Sequence, residues 1–526
     1  MDRLVEILAQ KIRKQAHIRI IGDYDVDGVT SSHLFLTALR RVGAKVDVVI
    51  PHRIQDGYGL SLHLLQQAKE DGVDTILTCD NGIAAIDEIA WAKAQKMTVL
   101  VTDHHAVPFE EHEGRRTEKK SLADAVVNPH QQDCGYPYKE LCGAGVAWNV
   151  IRVLYENYDM DKREAEDLLD FVAMATVCDV MSLTGENRIL VKEGLKRIRH
   201  TKNIGLQALM QACNVQPENI SAYHFGYVLG PCVNATGRLD TARHALRLFE
   251  TGQETEAEEI ARDLVDLNQE RKELTLQGVE MAKKLCEEGG YENDPILVLF
   301  LPDVHESIAG LIAGRIREMY NRPVFVLTRG EEGVKGSGRS TENYSMYENM
   351  CGCAELFTKF GGHPMAAGLS LPEENVEKFR RKINENCPLT VEEVCPDIHI
   401  DMAMPVGYAS TELVHQFALL EPFGKDNPSP LFADRNLSIS RMWVIGKNRN
   451  VLRMSVLSEY GQPVPVIFFG DVETLFAYFT EKFGQEEVEN ALHGRKNRIL
   501  FSMVYTAKID FYQGNENLQL EMKYYR

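Results

Sequence analysis

No apolar run in the 526 residues approaches the roughly 20 that a bilayer-crossing helix requires, so no helical membrane span is expected. The opening segment MDRLVEILAQKIRKQ carries charges through its apolar positions and has no small-residue cleavage site. It is therefore not a secretory signal but an amphipathic surface helix, and the expected location is the cytoplasm. Cysteine supplies no framework. The 11 Cys are odd in number and scattered, and Cys79 and Cys178 come after apolar runs, which points to free thiols in a reducing compartment. The one close pair, Cys351 and Cys353, has no companion pair nearby to complete a zinc site. Positive charge is in deficit as well. A net charge of −19 excludes a strongly basic protein that coats nucleic acid. It leaves room for an enzyme whose acids gather around cations while its basic residues line a local groove. Internal repeats and low-complexity segments are absent.

The remaining composition, 44% hydrophobic and 26% charged, is that of an ordinary globular chain. Its length exceeds the roughly 250–300 residues one core accommodates, so two or more domains are expected. Through the first 130 residues, β-rich runs at His17–Ile21, Val46–Ile50, Thr75–Cys79, Thr98–Thr102 and Ala125–Val127 alternate with helical stretches such as Leu60–Lys69 and Ala84–Ala94. Such alternation predicts a parallel sheet with helices on both faces. Residues 141–240 read as mostly helical, with glycine-rich breaks at Gly143–Gly145 and Asn234–Gly237. The charged stretch Arg238–Glu288 lacks Pro and suits one or two long helices linking domains. A second α/β unit comes next, with strands Ile296–Leu301 and Pro323–Thr328 flanking a helix near Ile308–Met319. It closes with a glycine-rich loop, Gly336–Ser340, and with Gly361–Pro364. From about Pro396, short alternating strands (Leu437–Ile445, Val451–Val456, Val464–Phe469, Ile499–Tyr505) predict a small barrel of the OB type. The expected fold class is thus α/β: a catalytic domain over 1–237, a helical linker over 238–289, a second α/β domain over 290–395 and an OB-like barrel over 396–526.

The chemistry is concentrated just past each of the first four runs. Asp23-Tyr24-Asp25-Val26-Asp27-Gly28 succeeds the first, Pro51-His52-Arg53 the second, Asp80-Asn81-Gly82 the third and Asp103-His104-His105 the fourth. Ligands of open parallel sheets bind at the carboxyl ends of the strands, so these acids and imidazoles converge on one sheet edge. Three clustered aspartates repel one another unless cations relieve the repulsion. A calcium loop would need Glu at the twelfth position, where Leu34 stands. Mixed carboxylate and imidazole donors suit Mn²⁺ or Mg²⁺, and there are enough of them for two ions. A two-metal site is suited to in-line displacement at phosphorus.

The ordered motifs GDYDVDG, CDNG, TDHH and VCDV resemble those of the DHH phosphoesterase superfamily, and GSGRS with FGGHPMAAG resembles its companion DHHA1 domain. Leu141–Val146, Asp179–Arg188, Asn234–Arg238 and Leu420–Pro430 narrow the resemblance to the branch of single-strand-specific 5′→3′ DNA exonucleases. That branch carries the barrel that enzymes of short oligonucleotides lack. The resemblance implies release of 5′-mononucleotides by two-metal hydrolysis, in recombination and repair, on single-stranded DNA supplied by a helicase and a single-strand-binding protein. It implies Asp25, Asp27, Asp80, His104 and Asp179 as metal ligands, with Asp80 bridging the ions and Asp23 ligating or supporting a ligand. Asp103 would orient the histidines, and His105 and Arg238 would hold the scissile phosphate. Arg53, Ser337 and Arg339 are expected to bind the 5′-phosphate beside a wall of Gly361, Gly362 and His363. In the barrel, Lys447, Arg449, Arg453, Trp443, Phe468 and Phe469 are candidates for a strand-binding face, although for the two phenylalanines barrel core is the favoured reading. Two departures stand out: Val451-Leu452 where many relatives have His-Leu, and Val304-His305 where a Trp usually precedes the His. A phosphodiesterase of short oligonucleotides or cyclic dinucleotides is the alternative within the class, and a non-catalytic replication scaffold the alternative outside it.

Overall fold

The computed structural model describes residues 1–53, 56–57, 59–112, 115–291, 294–330, 333–389, 398–446, 449–512 and 515–526. The chain forms two compact units, Met1–Pro396 and Asp397–Arg526.

The first unit holds two main sheets. In the first, β1 (His17–Ile21), β2 (Lys45–Val49), β3 (Thr75–Cys79), β4 (Thr98–Thr102) and β7 (Ala125–Val127) run parallel in the order β2-β1-β3-β4-β7. A small hairpin, β5 (Phe109–His112) and β6 (Arg115–Glu118), interrupts the chain before the edge strand. Helices cover both faces, as the alternation predicts. One face packs against Leu34, Phe35 and Leu39 of helix Val26–Arg41, and against Val150 and Ile151 of helix Gly143–Asn157. Leu64, Leu65, Ile89 and Ala92 of helices Leu62–Glu70 and Ile86–Ala94 cover the other. Burial on both faces explains the continuous apolar composition of runs such as Thr75–Cys79, where every residue is buried. The opening segment is indeed an amphipathic helix, Asp2–Arg13, with Leu4, Val5, Leu8, Ala9 and Ile12 buried.

Both glycine-rich segments expected to break helices lie within helices instead. Gly143–Gly145 opens helix Gly143–Asn157, and Asn234–Gly237 sits inside Gly230–Leu239. Gly143 and Gly237 serve close approach. A Cβ on Gly143 would stand 2.6 Å from Asp80 Cβ, and one on Gly237 would stand 2.4 Å from the Tyr24 carbonyl oxygen. The charged stretch forms a short helix, Arg243–Glu250, and one of 35 residues, Glu254–Glu288.

The second sheet has the order β11-β12-β10-β9-β8, from β8 (Leu297–Phe300), β9 (Val324–Gly330), β10 (Gly333–Arg339), β11 (Lys359–His363) and β12 (Ala366–Leu371). Only β8 and β9 are parallel. The segment expected as a glycine-rich loop is thus β10, a strand inside the sheet. Its glycines are on the core face. A Cβ on Gly336 would meet Leu327 at 2.3 Å and Leu369 at 3.0 Å, and one on Gly338 would meet Met346 and Phe325 at 2.6 and 2.7 Å. Large neighbours fill the space that side chains would otherwise take. By the two-residue period of a strand, Lys335, Ser337 and Arg339 share the opposite face.

The second unit is a closed five-stranded barrel with an added short strand. β13 (Met402–Ala403) borders β14 (Phe432–Ile445), which is succeeded by β15 (Val451–Leu457), β16 (Pro463–Phe469), β18 (Asn515–Tyr525) and β17 (Leu500–Tyr512), and β17 closes back on β14. Helices Val472–Phe483 and Gln485–Leu492 precede β17, and neither they nor β18 are anticipated from the sequence pattern. Phe468 lies in the barrel core, whereas Phe469 is 55% and Trp443 37% exposed. Val451 and Leu452 open β15, and Arg449 and Arg453 are exposed. Lys447 lies outside the described residues.

Candidate metal centre and phosphate pocket

The three aspartates after β1 take different positions. Asp25 caps helix Val26–Arg41, its carboxylate accepting from Gly28 N at 3.0 Å. Asp27, in the first turn of that helix, accepts from Gly143 N at 2.5 Å and Ala144 N at 2.7 Å. Those are the unpaired amides at the start of helix Gly143–Asn157, where the helix dipole favours an anion. Asp23 is buried, and its Oδ1 makes no hydrogen bond among the described residues. Asp80 ends β3 in the left-handed region, φ 61°. This is a conformation that Asp tolerates better than most residues. Asn81 fixes the turn by donating to the carbonyls of Ile21 at 3.0 Å and Cys79 at 2.9 Å, thereby tying the ends of β1 and β3 together.

From β4, Asp103 binds the histidine segment. Its Oδ1 accepts from His105 Nδ1 at 2.8 Å and from the amides of His104 and His105 at 2.7 and 3.0 Å, and its Oδ2 accepts from Ile83 N at 2.9 Å. Its carboxylate thus meets the ring of His105 rather than that of His104. The His104 Nε2 atom points into a ring of carboxylates: 3.0 Å from Asp80 Oδ1, 3.5 Å from Asp179 Oδ2 and 3.6 Å from Asp27 Oδ2. Asp179 comes directly after the last turn of helix Leu169–Cys178. Three donor sets result, each with its ligand atoms within 4.8 Å of one another: Asp23–Asp25–Asp80, Asp80–His104–His105 and Asp27–His104–Asp179. All six residues expected as metal ligands are thus brought together at the carboxyl edge of one sheet.

The electrostatics are those of a buried, crowded carboxylate cluster. Burial, then the charge of Asp25, holds the Asp23 carboxyl well above the usual carboxylate range. Burial, then Asp27 and Asp25, does the same to Asp80. Burial lowers the His104 pKa, keeping the imidazole neutral, the form in which histidine binds metals. His104 Nε2 and Asp23 Oδ1 are buried polar atoms that form no hydrogen bond among the described residues. Carboxylates, a neutral imidazole and such unsatisfied atoms fit hard divalent cations. His105 behaves oppositely. Burial works against its charge, but the hydrogen bond to Asp103 and the charges of Asp103, Asp179 and Asp27 raise it to about 9.

Beside this cluster, between the two sheets of the first unit, lies a cavity of about 470 Å³. Arg53, Arg238, Ser337, Arg339 and Gly361 line it, whereas Gly362 and His363 are not among its lining residues and His363 is exposed. Arg53 stands over the Tyr24 ring at 4.8 Å. Arg238 donates to the Ser307 carbonyl at 2.7 Å, and Arg339 to Ser337 Oγ at 3.1 Å and the Gly338 carbonyl at 2.7 Å. Burial and mutual repulsion lower Arg238 to about 10 and lower Arg339 as well. Crowded guanidinium groups of this kind are relieved by an anion. Tyr24, Glu306, Lys335, Lys359 and Phe360 complete the wall, with Lys335 paired to Glu306 at 2.8 Å. Sequence reading missed these. Reading β10 as a strand would have found Lys335 on the same face as Ser337 and Arg339.

Comparison with known proteins agrees in every part of the chain. The family model for the DHH family, N-terminal domain, matches residues 17–176, that for the DHHA1 domain residues 293–387, and that for the RecJ OB domain residues 400–524. The single-stranded-DNA-specific exonuclease RecJ of Haemophilus influenzae is 33% identical over 100% of this chain and 90% of its own length. The RecJ of Escherichia coli is 32% identical over 99% and 89%. That of Bacillus subtilis is 33% identical over 88% of this chain, which spans only 57% of that relative. Among solved structures, Thermus thermophilus RecJ in complex with Mn²⁺ matches with a TM-score of 0.79 at 26% identity, covering 99% of this chain and 71% of that one. A Mg²⁺ complex of the same protein matches with a TM-score of 0.73. The chain belongs to the RecJ family of DHH phosphoesterases.

Proposed function

We propose that the chain is a single-strand-specific 5′→3′ DNA exonuclease that releases 5′-mononucleotides. The observation that carries this reading is the adjacency, within one unit, of a carboxylate–imidazole cluster fit for divalent cations and a cavity lined by three arginines. A cluster that attacks phosphorus next to a pocket that grips a terminal phosphate is the minimum an end-dependent nuclease requires. The family's named members are single-stranded-DNA-specific exonucleases, which supports the substrate class. The barrel, matched by the RecJ OB domain, favours long strands over dinucleotides.

In this reading Asp23, Asp25, Asp27, Asp80, His104 and Asp179 would hold two Mn²⁺ or Mg²⁺ ions, with Asp80 common to two of the donor sets. Bound ions supply Lewis-acid polarisation of the phosphate and an acidified water nucleophile. The protein's own groups do the rest. Asp103 fixes the His105 ring, and its hydrogen bond and charge favour the protonated imidazole, which would donate to a phosphate oxygen. Arg238, in the cavity wall, neutralises charge building on the same phosphate. Arg53, Ser337 and Arg339 bind the 5′-phosphate, which sets the polarity, and Gly361 forms part of the neighbouring wall. The functional division runs 1–237, 238–289, 290–395 and 396–526. A helicase and a single-strand-binding protein supply the substrate, in the cytoplasm, during recombination and repair.

The test is a polarity assay on single- and double-stranded DNA with 5′-phosphate or 5′-hydroxyl ends and Mn²⁺. Mononucleotides should leave from the 5′ end of single strands only. Asp80→Ala should lower turnover at least about a thousandfold, the scale for removing a group on which the chemistry depends. Arg339→Ala should erase the preference for phosphorylated ends. An unchanged preference would remove the sensor assignment, and normal turnover by Asp80→Ala would remove the metal-centred mechanism.

A further inference from the structure

We infer that Tyr223 and Tyr227 form a platform on which unpaired bases of the substrate stack at the approach to the catalytic cleft. This rests on the proposed single-stranded-DNA activity. The two rings are stacked, with centroids 5.1 Å apart and planes 25° from parallel. They are 62% and 70% exposed, far more than aromatic side chains that serve a core.

Their position is set by the backbone. Residues Ala222–Leu239 form one continuous helical run, with a π-helical turn over Phe225–Leu229. The cause is Pro231. It has no N–H to offer the Tyr227 carbonyl four residues back, and its ring would collide with that carbonyl in a regular α-helix. A π turn widens the helix there, an irregularity found mostly at functional sites. The inner side of the turn is fixed to the metal centre. Phe225 is buried, its carbonyl lies 3.3 Å from Cys178 Sγ, and a Cβ on Gly226 would lie 3.5 Å from Val177. Val177 and Cys178 immediately precede Asp179. The tyrosine pair therefore stands on the outer side of a turn clamped to the segment that delivers the Asp179 carboxylate.

The far end of the same helical run carries Arg238, which lines the phosphate cavity. Eleven residues separate it from Tyr227, about 16 Å at 1.5 Å per residue. A strand stacked at roughly 3.4 Å per nucleotide needs several nucleotides to cover that distance. With its 5′-phosphate in the cavity, such a strand would reach the pair with bases lying 3′ of the scissile bond. Aromatic rings accept any base by its face, so the contact is indifferent to sequence. It is also selective for single strands, since a duplex presents base faces only at its ends.

The experiment uses the full chain with Mn²⁺, a long 5′-phosphorylated single strand and a 5′-phosphorylated dinucleotide. Tyr223→Ala and Tyr227→Ala should each raise KM for the long strand about tenfold, equivalent to about 1.4 kcal/mol, with kcat unchanged. KM for the dinucleotide, too short to reach the pair, should not move, and Tyr227→Phe should behave as wild type. An unchanged KM for the long strand would overturn the platform. So would an equal rise for the dinucleotide, which would mean that the substitutions disturb the cleft itself. Wild-type protein that ignored single strands altogether would overturn the functional reading and the platform together.

Discussion

Two identical substitutions two residues apart, Gly143→Ala and Gly145→Ala, should have opposite consequences. At Gly143 the added methyl would lie 2.6 Å from Asp80 Cβ, 2.9 Å from Asp80 Oδ1 and 3.0 Å from Asp80 Cα. Asp80 cannot retreat cheaply, because its backbone is held in the left-handed region and Asn81 anchors the turn to β1. Helix Gly143–Asn157 must move instead, and with it the amides of Gly143 and Ala144 that hold the Asp27 carboxylate. Overpacking of this kind costs about 1–3 kcal/mol. Displacing catalytic groups by about an ångström costs roughly a hundredfold in rate. At Gly145 the nearest atom to a new Cβ is Leu141 Cδ2 at 3.4 Å, an ordinary contact. There the substitution removes a helical glycine and should stabilise by about 0.5–1 kcal/mol. Urea unfolding measures the first quantity and kcat on 5′-phosphorylated single strands the second. If Gly143→Ala were as benign as Gly145→Ala, the close packing of this helix on Asp80 and Asp27 would not be what shapes the centre.

Divalent metal should stabilise the fold, since it relieves the mutual repulsion of Asp23, Asp25 and Asp80. At Mn²⁺ a hundredfold above its dissociation constant the gain is about 2.7 kcal/mol, read as a rise in melting temperature, and Asp80→Ala should abolish it. The same rise in Asp80→Ala would place the ions elsewhere. Acid should weaken the fold through His33, which is buried against Phe171 and Phe249 with no partner for Nδ1 among the described residues. Burial lowers its pKa to about 3. The unfolded chain therefore binds the extra proton between about pH 6.5 and pH 3, and stability falls with pH across that window. Between about pH 6.5 and pH 5 this amounts to about 1.6 kcal/mol, which His33→Leu should remove from the slope of unfolding free energy against pH. An unchanged slope in that variant would assign the acid sensitivity to other groups.

How much of the fold and the site was legible in the sequence depends on whether the information is local. The ends of β1, β3 and β4 could be read because a parallel sheet needs no further knowledge to deliver Asp23, Asp25, Asp80, His104 and His105 to one edge. Asp179 and Arg238, placed by a helix end and a helix interior, were recognisable only through motif resemblance. Glycine is where reading by residue type failed. The same residue serves turns, helix breaks and close approach, and nothing within a few positions distinguishes them. Gly336 and Gly338 suggest a loop until Leu327, Leu369, Met346 and Phe325 are seen occupying the space beside them. Gly143 and Gly237 suggest breaks until Asp80 and the Tyr24 carbonyl appear within contact distance. The supporting asparagines are equally non-local. Asn234 accepts from Val26 N at 3.2 Å across 208 residues, and Asn128 donates to the His105 carbonyl at 2.9 Å from a neighbouring strand end. Exposure is the last quantity hidden from sequence. Phe468 and Phe469 are chemically identical neighbours, yet the period of a strand sends one into the barrel core and the other outward. Tyr223 and Tyr227 have the spacing of a core-facing helical pair, and only Pro231, four residues beyond Tyr227, hints that the turn bearing them is irregular. A local signal therefore places chemistry at the end of an element with some security, whereas which atoms it meets there is decided by segments distant in the chain.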